Sequence, residues 1–130
     1  LNGTSWPPEI DVFEIDGRPD QSDQKINLHY GVNENSKHPS LGSWDGNALR
    51  VGEWQEFVLD WTPDRIKMIT DGITIFRLSN KKTLKWYNAD NAQMWILIYQ
   101  SVIGDEVGEP NADGVISSFD IDYVRVYKSE

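Results

Sequence analysis

The sequence predicts an all-β fold, a two-sheet sandwich. Three observations carry it. Apolar residues recur at a period of two along most of the chain, the signature of half-buried strands. Gly, Pro, Asn and Asp gather between those runs. No stretch holds an apolar stripe at the helical period over the length of a helix. About seven strands result, a number that suits a sandwich.

In chain order, the first strand runs from Glu9 to Asp16 around Ile10, Val12, Phe13 and Ile15. The second, Lys25 to Val32, sets Ile26, Leu28 and Tyr30 on one face and Asn27, His29 and Gly31 on the other. The third, Glu53 to Trp61, groups Phe57, Leu59 and Trp61. Arg65–Thr70, Asp71-Gly72 and Ile73–Leu78 read as a hairpin, because Asp-Gly supplies the positive φ angles of a two-residue turn. One helical turn fits around Lys81 to Asn88. Gln93 to Gln100 is almost continuously apolar, which predicts a central strand buried on both faces. Ile116 to Tyr127 is the last strand. Polar loops are expected at Gly17–Gln24, Asn33–Asn47 and Gly104–Gly114.

The 130 residues suit one domain, with a core that takes up roughly two thirds of the unfolded surface. Lys and Arg number 12 against 21 Asp and Glu, a net charge of −9. That balance argues against nucleic acid, whose phosphates need a basic face, and against anionic membranes or sulfated polymers. No apolar run approaches the roughly 18 residues of a membrane helix. Without Cys there is no disulfide frame and no thiolate site. Six Trp in an acidic chain point to a heavy core or to sugar stacking.

The informative segment is Trp6-Pro7-Pro8-Glu9-Ile10-Asp11-Val12-Phe13-Glu14. Glu9 and Asp11 are two apart and share a strand face. Glu14 is five from Glu9 and on a regular strand would face the other way. One β-bulge at Val12-Phe13 returns it to the face of the other two acids. Acids on exposed strand faces are ordinary, but three like charges on one face repel each other and suit a strand poorly. Two carboxyls about 5–5.5 Å apart are what a retaining glycosidase uses, one as nucleophile and one as acid. Crowding three of them raises the pKa of at least one, which would keep one Glu protonated as the acid while Asp11 orients the nucleophile.

With its preceding Trp6-Pro7-Pro8, Glu9-Ile10-Asp11-Val12-Phe13-Glu14 resembles the catalytic signature of glycoside hydrolase family 16 in its bulged form. That form is typical of laminarinase-like β-1,3-glucanases, agarases and carrageenases; the unbulged form is typical of lichenases. Leu28-His29-Tyr30-Gly31 is similar to the family strand that brings a His into the cleft. Phe57 to Ile66 with Asp71-Gly72 is similar to its long hairpin, and Phe119 to Tyr127 to its closing strand.

The resemblance implies a concanavalin-like jelly-roll sandwich with the substrate across a concave sheet. It makes Glu9 the nucleophile, Asp11 its assisting acid and Glu14 the general acid/base. Trp6, Asn27, His29, Trp61 and Gln100 become candidate substrate contacts. Tyr99-Gln100 stands where many members read Asn-Leu, so the subsites near it are expected to differ. Trp44, Trp54, Trp86 and Trp95 are assigned to core or rim. Asp122 falls where many members bind a structural calcium; no cofactor is otherwise required. The implied function is a retaining, secreted endo-β-glycanase acting on a neutral β-glucan, β-1,3- or mixed-linked, or on a galactan.

Two other functions fit parts of the pattern. A non-catalytic carbohydrate-binding sandwich would use the Trp side chains without needing three acids in register. An inactive half-domain needing a complementing chain is the other. In the family the acid motif lies near the middle of a domain of about 200–250 residues, whereas here it starts at residue 9. The chain is therefore expected to be one β-sandwich hydrolase domain, 1–130, lacking its N-terminal strands. It begins without Met or a signal peptide, as a processed or truncated product would. A second chain, a cleaved part of the same gene product or a swapped copy would complete the sandwich, or the remaining strands close a smaller sandwich of their own.

Overall fold

The computed structural model describes residues 8–15, 24–30, 43–44, 50, 52–88, 94–100 and 118–128. The chain divides into two compact units, Leu1–Trp95 and Ile96–Glu130. In the first, six strands form two three-stranded antiparallel sheets. One has the order β1 (Glu9–Ile15), β2 (Gln24–His29), β3 (Ser43–Trp44). The other is a meander of β4 (Phe57–Thr62), β5 (Arg65–Thr70) and β6 (Ile73–Leu78), followed by α1 (Lys81–Leu84).

The period-two pattern decides which face each strand buries. On β2, Ile26 and Leu28 are buried while Lys25, Asn27 and His29 stand half-buried on the opposite face. On β5, Ile66, Met68 and Thr70 are buried in the same alternation. The two apolar rows share one core with Leu84 and Tyr87, flanked by Ile10, Tyr30, Leu59 and Phe76. Each fully buried Ile, Leu or Met contributes roughly 1.5–3 kcal/mol. Phe13 of β1 stacks on Phe57 of β4 with centroids 4.4 Å apart, a second link between the sheets. This all-β sandwich is the predicted fold class.

The β5–β6 turn is the predicted one. Asp71 and Gly72 have φ of 49° and 79°, the two positive angles of a type I′ turn. The Asp71 carboxylate accepts hydrogen bonds from the Glu56 N–H (2.9 Å) and Arg50 Nη2 (2.7 Å), which hold it below the usual carboxylate range. Pro63-Asp64 turns β4 into β5, with Thr62 opposite Arg65. The predicted helical turn is α1, capped by the Asn80 side chain on the Lys82 N–H at 2.9 Å. It carries Leu84 into the core and is continued by the Tyr87 N–H to the Leu84 carbonyl at 2.9 Å.

Three expectations need correction. Ser43–Trp44 pairs with β2 where a polar loop was expected. The described parts of the strands expected at Gln93–Gln100 and Ile116–Tyr127, residues 94–100 and 118–127, carry no strand. Trp95 to Tyr99 is exposed where burial on both faces was expected. An apolar run reports what a segment could bury; a strand exists only where a ladder partner is supplied, and these segments pair with no strand among the described residues. Apart from Gln24 and Ser43–Trp44, the three expected polar loops lie outside the described residues. In the second unit the Arg125 guanidinium lies over the Tyr123 ring, 4.3 Å from its centroid. No helix among the described residues is long and apolar enough to cross a membrane.

Candidate active site

The site is the face of the first sheet opposite its core. Antiparallel register sets Glu9 across from His29, Asp11 across from Asn27 and Glu14 across from Lys25. From Asp11 to Glu14 β1 advances three residues while β2 advances two, so the extra residue lies at Val12-Phe13. Because Lys25, Asn27 and His29 share one face of β2, their partners Glu9, Asp11 and Glu14 share that face of β1. Ile10, opposite Leu28, turns to the core. The same alternation thus anchors the strand on one side and assembles three acids on the other.

Two of the acids have fixed partners on β2. His29 Nε2 lies 3.0 Å from Asp11 Oδ2, both side chains largely covered. The Asn27 amide donates to Glu14 Oε2. Burial pushes the Asp11 carboxyl up to about 6, and the Glu9 and Glu14 charges push in the same direction; His29 opposes them. Asp11 is thus raised chiefly by its burial and further by the two neighbouring carboxylates. Near neutral pH a carboxyl with this pKa exchanges a proton easily and can either donate a hydrogen bond or accept one. Glu9, Asp11 and His29 present ligating atoms within 4.8 Å of one another.

Residues 1–125 match Glycosyl hydrolases family 16. This chain belongs to that family. The family 16 assignment agrees with the all-β sandwich of the first unit and makes jelly-roll its class. The chain is also 29% identical, over 94% of its length, to a protein named glucan endo-1,3-beta-glucosidase A1 from Niallia circulans. It spans 19% of that relative's length. No solved structure matches.

Of the residues singled out in the sequence, the fold brings Glu9, Asp11, Glu14, Asn27 and His29 together. Trp6 lies outside the described residues. Trp61 stands on β4 in the other sheet, partly exposed, and its indole N–H donates to Asn88 Oδ1 at 3.2 Å. Gln100 and Asp122 belong to the second unit and are exposed. Calcium takes six to eight oxygens, and among the described residues Asp122 joins no group of three or more His or carboxylate ligands.

Two residues escaped the sequence. Lys25 faces Glu14, and counting back by two from Asn27 would have found it. Tyr87, which donates from its hydroxyl to the His29 carbonyl at 3.0 Å, had no local signal.

Proposed function

We propose that this protein is a retaining endo-β-glycanase that hydrolyses β-1,3- or mixed-linked β-1,3-1,4-glucan. The observation that carries the proposal is the bulged ladder that sets Glu9, Asp11 and Glu14 on one face of β1 in a family 16 chain. Glu14 protonates the glycosidic oxygen as the bond to the anomeric carbon breaks. Glu9 attacks that carbon from the opposite side and forms a glycosyl-enzyme. Glu14, now a carboxylate, takes a proton from water, and the resulting hydroxide displaces Glu9 with net retention. Asp11, with its raised pKa, donates a hydrogen bond to Glu9 when protonated and so sets the nucleophile's orientation and charge. Asn27 holds the Glu14 carboxyl in place. His29 and Trp6 are proposed sugar contacts, the Trp face as a stacking surface.

The name of the Niallia circulans relative supports a β-1,3-glucan ahead of a galactan. The net charge of −9 disfavours a sulfated polymer. A polymeric substrate does not enter cells, which supports an extracellular location. Hydrolysis of laminarin, lichenan and agarose by Glu9→Gln and Glu14→Gln variants tests the roles. Loss of product release in both is expected, and rates equal to the parent's would refute the assignment.

A second reading, a half-domain completed by a further chain or a swapped copy, is favoured by the exposed apolar runs at Trp95–Tyr99 and Phe119–Tyr127. Residues 1–130 are then one part of a larger sandwich. If it holds, specific activity rises with protein concentration as the assembly forms. Activity strictly proportional to concentration in a monomer would exclude it.

A further inference from the structure

We propose that Tyr87 is a positioning residue for the acid face: its hydroxyl holds the end of β2 so that His29 meets Asp11. Tyr87 is the largest fully buried side chain among the described residues. A buried phenol needs a partner for its O–H, and this one donates to the carbonyl of His29, 58 residues away, at 3.0 Å. His29 is the last residue of β2 and stands opposite Glu9. Its imidazole Nε2 is 3.0 Å from Asp11 Oδ2. One residue thus receives the core's hydrogen bond on its backbone and makes the contact to Asp11 with its side chain.

The body of Tyr87 is held independently. Its N–H bonds to the Leu84 carbonyl in the turn after α1, and its ring meets Tyr30 edge-on, with centroids 6.5 Å apart. Burial, with Tyr30 and Asp11 adding to it, raises the Tyr87 phenol above its ordinary range. It therefore remains a donor throughout the range in which Asp11 changes charge. The titratable groups on the acid face are Glu9, Asp11 and Glu14 on β1 and Lys25 and His29 on β2, with Tyr30 and Tyr87 behind it. The Tyr87 hydroxyl ties the turn after α1 to this face through the His29 carbonyl.

Tyr87→Phe removes the hydroxyl and keeps the ring. The inference rests on the hydrolase reading only for its kinetic arm; a carboxyl-carbon NMR titration of Asp11 needs no substrate. A loosened His29 opposes the crowding less, so the Asp11 midpoint is expected to move upward from about 6. On laminarin, kcat is expected to fall roughly ten-fold with KM within two-fold, because a small misplacement acts on the chemical step. In a His29→Ala background the same substitution should shift Asp11 no further. An Asp11 titration that superimposes on the parent's overturns the proposal, even if Tyr87→Phe lowers the melting temperature. If the parent hydrolyses no glucan, the hydrolase reading fails while the titration still decides the role of Tyr87. If Tyr87→Phe does not fold, the ring-carbon resonance of Tyr87 in the parent takes its place. It should step as Asp11 titrates, and a flat curve overturns the proposal.

Discussion

At Asp11, burial and two neighbouring carboxylates compete with one imidazole, and burial wins. The consequence for stability has a definite sign. Between its ordinary value of 3.8 and its folded value of about 6, Asp11 binds its proton more tightly in the folded protein than in the unfolded one. Stability therefore falls as pH rises through that window, and the cost is fully present above it. Asn mimics the neutral acid, so Asp11→Asn should raise the melting temperature at pH 7, and the gain should vanish below about pH 4. Melts at pH 3.5 and pH 7 check this; a gain of equal size at both would show that Asp11 ionisation is not the cause. Under the proposed role of Asp11 the same substitution is expected to lower kcat, because Asn cannot change its charge during the reaction. At Glu14, replacement by Gln should reduce kcat on polysaccharide by about 10²–10⁴-fold, the usual contribution of a general acid/base. The first chemical step with an aryl glycoside of a good leaving group should be largely spared, since that oxygen departs without a proton.

At the scale of elements, the bulge in β1 reconciles a five-residue spacing with a single face. Deleting Val12 would leave Phe13 opposite Ile26 and Glu14 still opposite Lys25, in a regular ladder. That variant should fold and retain hydrolysis. Inserting one Ala after Asp11 should instead shift Glu14 to face Gln24, on the core side, and abolish activity. Comparing the two variants on one substrate separates bulge geometry from mere length. The hairpin offers an independent test. Gly72 has open space where a Cβ would stand, so Gly72→Ala would suffer only from its φ of +79°. A loss of about 1 kcal/mol in urea unfolding is expected. A much larger loss would mean that the turn carries contacts beyond its backbone angles.

At the scale of the molecule, the first unit has an apolar core around Ile26, Leu28, Ile66 and Met68, whereas the second displays Leu97, Tyr99, Val126 and Tyr127 at more than two-thirds exposure. Apolar rows of this extent are expected to associate. Sedimentation velocity should show mass rising with concentration, and Leu97→Asp with Val126→Asp should suppress the rise. A single monomeric species over the whole concentration range would remove the support for a completed assembly.

Much of the first unit was legible in the sequence for a local reason. Alternation along β2 and β5 and the Asp71-Gly72 turn depend on residues one or two positions apart, and strand geometry turns such spacings directly into faces. The odd spacing from Glu9 to Glu14 likewise pointed to the bulge at Val12-Phe13. The apolar runs at 94–100 and 118–127 misled because periodicity reports a capacity to be buried, not the presence of a partner. Sequence by itself determined which strand face each of Glu9, Asp11, Glu14, Asn27 and His29 occupies. Only the tertiary structure decided their partners: Asn27 for Glu14 at a separation of 13 residues, His29 for Asp11 at 18, and Tyr87 for the His29 carbonyl at 58. Those contacts follow from ladder register and from the closure of one core around two sheets, and no short-range spacing contains either.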